Sequence, residues 1–361
     1  MSSALTTRLI RVVEGGVERG QLRFLAGRLP CFYSDTVGLP LTSPCTRVRS
    51  LDTAKARVFM KRDDLLGGLV PNGTKLRKFA SLLPAIQAAR PPEVALIGSP
   101  SSNNVVGLTS LLRQLGIPVR TFLCGAPGEQ RTGKRRGNSW LLGQLCPADR
   151  MHWIPREKWG LVNVEVGEYY ARMGLARPFV VQEGAAMAQS LPGLLTLPLD
   201  VVLENERRAL GEGAHFDHVC VEAGTGMTAA ALVVGLAALN RLQPSGTTVH
   251  VVALAGEETF RHQLQMVERF FRDLAGGGGG QAELGQGGVK VHLPTNARSF
   301  GATNSQVFAS IADFAGGEGI FLDPVYSAKL VHEVRLLVRE GLEGDILVIH
   351  QGGLSALQGF G

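Results

Sequence analysis

The sequence predicts an α/β fold built on parallel sheets with helices on their faces. Two observations carry this. Short β-rich runs alternate with helical patterns from Val58 to the C-terminus, and strands separated by helices pair in parallel. The chain has 361 residues, 45% of them hydrophobic and only 19% charged, enough to bury a large core and, by length, about two domains. No linker divides the chain, so two domains imply one inserted into the other.

Taken in order, the start Met1-Ser2-Ser3-Ala4-Leu5-Thr6-Thr7-Arg8 has no acid before Glu14. It resembles a short organellar transit peptide, but many cytosolic tails look the same, and the cytosolic reading is the expected one. Strands are predicted at 58–60, 94–97, 119–123, 179–182, 218–222, 249–254 and 346–349. Helical spacing then places Leu108, Leu111, Leu112 and Leu115 on one apolar face, and Leu330, Val331, Val334, Leu337 and Val338 on another. The stretch 276–280, with Gly285, Gly287 and Gly288, is too glycine-rich to order itself cheaply and is expected to be a flexible loop.

Composition excludes several classes. No run approaches the roughly 20 apolar residues that cross a bilayer, so no membrane association is expected. Cys31, Cys45, Cys124, Cys146 and Cys220 are scattered, form no CxxC pair and sit in or beside apolar runs. They read as reduced core thiols in a cytoplasmic protein. The net charge of +6 and pI near 9.2 come from dispersed residues. The one dense cluster, Arg131, Lys134, Arg135 and Arg136, has glycines around it and lacks neighbouring aromatics, so it reads as a solvated loop rather than a nucleic-acid surface. No metal-ligand pattern is present, and a small anionic substrate suits the charge balance.

Chemistry concentrates in five segments. Lys61-Arg62-Asp63-Asp64 ends a strand and precedes Asn72-Gly73-Thr74-Lys75-Leu76-Arg77-Lys78, where a helix begins near Lys75 with Leu76, Phe79, Leu83 and Ile86 inward. Burial beside a cationic neighbour, Arg77 or Lys78, would lower the Lys75 amine's pKa enough for covalent chemistry at a carbonyl. Read plainly, the same lysines solvate a helix start. Ser99, Ser101, Ser102, Asn103 and Asn104 open the next helix, as ordinary N-caps or as a receptor for a carboxylate or an anionic ring substituent.

The strand ending at Glu222 runs into Ala223-Gly224-Thr225-Gly226-Met227-Thr228 and then a helix. Glycines let the backbone approach an anion, and N–H groups with the two threonine hydroxyls donate to phosphate oxygens. The pattern Gly224-x-Gly226-x-x-Ala229 also satisfies a dinucleotide fingerprint, but the acids expected after the next strand, Glu257 and Glu258, come late. Asp323-Pro324-Val325-Tyr326-Ser327 reads as a turn into a helix, and His350-Gln351-Gly352-Gly353 follows the last strand, His350 being most simply a hydrogen-bonded strand-end residue.

In this order the segments resemble the 1-aminocyclopropane-1-carboxylate deaminase and D-cysteine desulfhydrase family of pyridoxal-phosphate (PLP) enzymes, from about Cys31 to the end. Lys61-Arg62-Asp63-Asp64-Leu65 matches that family's KRDDL, Gly73-Thr74-Lys75-Leu76-Arg77-Lys78 its GNKxRK, Ser101-Ser102-Asn103-Asn104 its QSNQ, and residues 223–228 its TGSGGT. Gly137-Asn138, Gln182-Glu183-Gly184 and the last two segments fall in the family's order.

The resemblance implies the tryptophan-synthase-β-like fold (PLP fold type II): two open parallel-type sheets flanked by helices, a smaller α/β domain (79–183) inserted in a large PLP-binding one (1–78 and 184–361). It implies PLP carried on Lys75, with Asn103 on its ring oxygen, Gly224, Thr225, Gly226, Met227 and Thr228 around its phosphate, and Ser327 facing its pyridine nitrogen. Lys75, Ser102 and Tyr326 become the catalytic residues, a small amino acid the substrate, and a homodimer the expected assembly.

Departures from the family bear on substrate. Ser327 stands where the deaminases place a glutamate, and a hydroxyl keeps the pyridine protonated less well than a carboxylate does. Phe300-Gly301 replaces a tyrosine-glycine pair, removing a phenol that ring opening would use. Thr74, Ala185-Ala186 and Gln351 change the walls. These point to β-elimination giving a 2-oxo acid and ammonia, and the resemblance alone makes sulfur-bearing D-amino acids the first substrates expected. Three alternatives stand beside it: deamination of 1-aminocyclopropane-1-carboxylate, a nicotinamide dehydrogenase on the glycine turn, and a non-catalytic PLP-binding protein.

Overall fold

Apolar runs too short for helices build two sheets in the computed structural model, which describes residues 2–16, 41–68, 70–126, 137–209, 215–239, 241–242, 246–276 and 288–357. The larger sheet has six strands in the order β1 (Cys45–Arg47), β2 (Ala56–Arg62), β10 (Gly344–His350), β7 (His218–Ala223), β8 (Thr248–Ala253), β9 (Val289–His292). The smaller has four: β5 (Met151–Ile154), β4 (Val119–Cys124), β3 (Val94–Gly98), β6 (Phe179–Val181). All pairs are parallel except the edge pair β1–β2.

Parallel sheets are covered on both faces, and their strands are correspondingly apolar. One face of the larger sheet presents Val219, Val221, Leu347 and Ile349 to the helices Met227–Ala238 and Glu257–Leu274. The opposite face presents Val58, Met60, Cys220 and Val348 to the helices Ser305–Glu318 and Ser327–Arg339. In the smaller sheet, Val94 and Leu96 meet Leu76, Phe79, Leu83 and Ile86 of the helix Lys75–Ala89, and Leu108, Leu111 and Leu112 of the helix Asn103–Gln114. The expected class, two open parallel-type sheets flanked by helices, is the one observed.

The N-terminal residues form the helix Ser2–Gly16, whose Leu9, Val12 and Val13 are part of the large core. That packing is of a structural element, not of a free tail. Cys45, Cys124, Cys146 and Cys220 are free thiols. Cys31, the basic cluster at 131–136 and most of the 276–288 glycine stretch lie outside the described residues. Among the described residues no helix is long and apolar enough to cross a membrane.

The loops that follow β2, β3, β7 and β10 all leave the carboxyl ends of their strands, where open α/β sheets place ligands.

Candidate active site

Those loops enclose a cavity of about 900 Å³ lined by Lys75, Lys78, the 99–104 turn, Asn138, Glu183, Glu222, the 224–229 turn, Phe300, Tyr326 and Gln351, among others. The structure thus brings together every site residue read from the sequence except Ser327.

Lys75 is placed by the loop before it. Gly73 has φ +82°, and a Cβ there would lie 2.0 Å from the Gln351 carbonyl oxygen. Only glycine permits that approach. Thr74 N–H donates to the same carbonyl (3.1 Å), its hydroxyl donates to Asp63 (2.8 Å), and Asn72 Oδ1 accepts from Gly353 N–H (3.1 Å). The lysine loop is thereby pinned to the end of β10. Burial lowers the Lys75 amine below the ordinary lysine value, against the opposing pull of Asp323, Glu222 and Asp63.

Arg77, expected as a cationic neighbour of that amine, turns the other way. It is fully buried, donating to both oxygens of Asp63 (2.8 and 2.7 Å) and to Asp200 (2.8 Å). Lys78 remains beside Lys75. Its amine donates to the Gly184 carbonyl (3.0 Å), and burial, then the charge of Lys75, brings it down to about 7.

At the far wall the helix Met227–Ala238 begins with Gly226 at φ +90°, and no side chain caps it. The first N–H groups of a helix have no partner within it, so this end is an anion receptor. The hydroxyls of Thr225 and Thr228 meet no acceptor among the described residues. By contrast, the start of the helix Asn103–Gln114 is capped: Ser102 Oγ accepts from Asn104 N–H (3.2 Å) and Val105 N–H (3.4 Å). Ser102 is an N-cap, and it also lines the cavity with its hydroxyl proton uncommitted. Asn103 Oδ1 accepts from Asn138 Nδ2 (2.7 Å) and Ser355 Oγ (3.2 Å), leaving the amide nitrogen as the donor.

Tyr326 stands over the glycine turn so closely that a Cβ on Gly224 would lie 2.8 Å from its ring. Phe300 packs edge-on to it, centroids 5.9 Å apart. Burial, then Asp323 and Glu222, keep the phenol protonated.

Ser327 departs from expectation. Its hydroxyl donates to Asp323 Oδ2 (2.7 Å) and accepts from Asp323 N–H (2.7 Å), and it does not line the cavity. Asp323 also accepts from the N–H groups of Val325, Tyr326 and Ser327 in the turn that leads into the helix Ser327–Arg339. The serine is therefore absorbed into the hydrogen-bonded 323–327 turn behind the wall. His350 keeps its plain reading: Nε2 donates to the Phe321 carbonyl (2.8 Å), Nδ1 accepts from Gly352 N–H (3.1 Å), and the ring is off the cavity.

One functional candidate went unread in the sequence. Glu222, the last inward residue of β7 but one, is 1% exposed, lines the cavity, and has neither carboxylate oxygen hydrogen-bonded. Burial, then the proximity of Asp323, pushes it up to about 8. An acid interrupting an apolar parallel strand just before a glycine turn was the available signal.

No family model matches the sequence. It is 26% identical over 339 residues to the 1-aminocyclopropane-1-carboxylate deaminase of Methylobacterium nodulans, covering 89% of this chain and 96% of that one. Among solved structures, a homologue of that deaminase superposes with a TM-score of 0.68 at 23% identity, over 94% of this chain and 96% of its own. An L-serine ammonia-lyase from Rhizomucor miehei gives 0.55 at 16% identity, over 87% and 94%. The resemblance carried by the motifs holds across the chain: this protein is similar over most of its length to the 1-aminocyclopropane-1-carboxylate deaminases and has the tryptophan-synthase-β-like fold.

Proposed function

We propose that this protein is a PLP-dependent deaminating lyase of small amino acids. One observation carries it: a part-buried lysine, Lys75, an uncapped helix start at Gly226 and an acid with no hydrogen bond to its carboxylate, Glu222, line one cavity. A phosphate-bearing aldehyde with a basic ring answers all three. When bound, PLP supplies a carbon for the Lys75 amine and a ring that accepts the electron pair released at the substrate α-carbon.

The chain's own residues do the rest. Lys75, held short of full basicity, would be the base that takes the substrate's α-proton. The 224–228 turn would hold the phosphate, Asn103 Nδ2 would donate to the ring oxygen, and Ser102 would hold the substrate carboxylate. Tyr326 gives its proton to the group leaving Cβ. Water then releases a 2-oxo acid and ammonia.

Within this class we favour β-elimination over opening of a cyclopropane ring. The phenol of Tyr326 is the only one among the residues lining the cavity, and Phe300 occupies the place of a second. A dinucleotide on the glycine turn would leave Lys75 and the 102–103 turn without a task. The test is release of ammonia and 2-oxo acid from a panel of D- and L-amino acids with a leaving group at Cβ, set beside 1-aminocyclopropane-1-carboxylate. Faster turnover of the panel is expected. Faster turnover of the cyclopropane contradicts β-elimination, and no release from any contradicts the lyase.

A further inference from the structure

We infer that Glu222 is the partner of the cofactor's ring nitrogen. The inference rests on the PLP reading above and goes beyond it, because the position that motif order assigns to this task is Ser327.

A carboxyl group buried without a hydrogen bond is costly, and native folds seldom leave one. Here the other buried acids near the cavity are answered. Asp323 accepts from three N–H groups and a hydroxyl, and Asp63 accepts from Arg77, Ser43 and Thr74. Glu222 alone among them lines the cavity with neither buried oxygen hydrogen-bonded. Its main chain is fixed, since Gln351 Nε2 donates to the Glu222 carbonyl (2.7 Å). The only other acid among the residues lining the cavity, Glu183, is exposed and accepts from Trp159 Nε1 (3.2 Å).

A side chain in this state is complementary to a ligand that brings a donor, best a cationic one. The PLP ring has one basic nitrogen, across the ring from the carbon that a lysine attacks. Protonated, that nitrogen needs a buried acceptor, which Ser327 does not offer because its oxygen already accepts from Asp323 N–H and it does not line the cavity. Lys75, the cation whose charge Glu222 feels, is committed to the cofactor's carbon. A carboxylate at the nitrogen keeps the ring protonated and makes it a strong electron acceptor. The serine at 327 therefore does not weaken the ring, and the preference for β-elimination rests on Phe300 alone.

The test is nuclear magnetic resonance of the protein loaded with PLP labelled with 15N in the ring, followed over pH in the native chain, Glu222→Gln and Ser327→Ala. The nitrogen should be protonated at neutral pH in the native protein and in Ser327→Ala, and unprotonated in Glu222→Gln, whose cofactor affinity should fall about tenfold. An unprotonated nitrogen in the native protein overturns the inference whether or not any variant folds. So does an unchanged signal in Glu222→Gln. Borohydride reduction separates the two levels: cofactor mass fixed on Lys75 with an unresponsive nitrogen overturns this inference alone, whereas a native protein that fixes no cofactor overturns the PLP reading and the inference together.

Discussion

One helix, Lys75–Ala89, carries two kinds of buried charge. Arg77 is met on every side: two oxygens of Asp63, one of Asp200, the Leu41 carbonyl (2.6 Å) and Thr196 Oγ1 (3.1 Å). Lys61 completes that network through Asp200 at 3.0 Å. Two residues earlier, Lys75 has its amine lowered by burial, and Glu222, which lines the same cavity, has neither carboxylate oxygen hydrogen-bonded. Burial is shared by the two regions, but satisfaction is not. The saturated network fastens the helix to the larger sheet, and the unsaturated groups are those kept for a ligand.

The comparison breaks first at Lys75. Lys75→Ala should leave the circular dichroism spectrum unchanged while turnover drops by about 10³-fold or more and the visible cofactor band disappears. If Lys78→Ala does this instead, the active amine is one helical turn further on. In the saturated region, Asp63→Asn should do the opposite. Leaving Arg77 partly unanswered should cost about 3–5 kcal/mol of stability, read from the denaturant midpoint. A loss below about 1 kcal/mol would mean that the network does not fasten the helix.

The unsaturated acid predicts a pH dependence of the cofactor-free protein. Glu222 is raised from an ordinary 4.5 to about 8. Below 4.5 both folded and unfolded chains hold its proton. Between 4.5 and 8 the unfolded chain releases it and the folded chain does not, so stability falls as pH rises, and the loss is complete above 8. Glu222→Gln should remove this component, on the order of a few kcal/mol, and be at least as stable as the native protein at pH 8. Lower stability of Glu222→Gln at that pH would make the carboxylate a structural partner of Lys75. The smallest effect is expected from Thr228→Val, which deletes one phosphate donor: cofactor affinity should fall by up to about tenfold, with the melting temperature of the cofactor-free protein unchanged.

Much of this arrangement was legible in the sequence, because parallel strands buried on both faces are near-continuous apolar runs. The seven predicted strands coincide with β2, β3, β4, β6, β7, β8 and β10. The three missed are short, and each lies at a sheet edge: Cys45–Arg47, Met151–Ile154 and Val289–His292, the last two carrying His152, Lys290 and His292. These three bury only part of their side chains, so no apolar run marks them, whereas the remaining edge strand, β6, is read from its run Phe179-Val180-Val181. The cavity residues were legible where backbone geometry demands glycine, as at Gly73 and Gly226, and where a lysine opens a helix.

Ser327 and Glu222 were not, for one reason. Which of two acids or hydroxyls faces a cavity depends on hydrogen bonds across the fold. Asp323 claims Ser327 only because the 323–327 turn closes on itself, and the Glu222 carboxylate is left without a hydrogen bond while Gln351 donates to its main-chain carbonyl instead.

The central claim is that Lys75 carries the cofactor, and peptide mapping after borohydride reduction tests it most directly. PLP-loaded protein, reduced and digested, should carry the cofactor's mass on the single peptide containing Lys75, and Lys75→Ala treated alike should carry none. Mass on Lys78 or on any other lysine, or no mass on the native protein, would contradict the account.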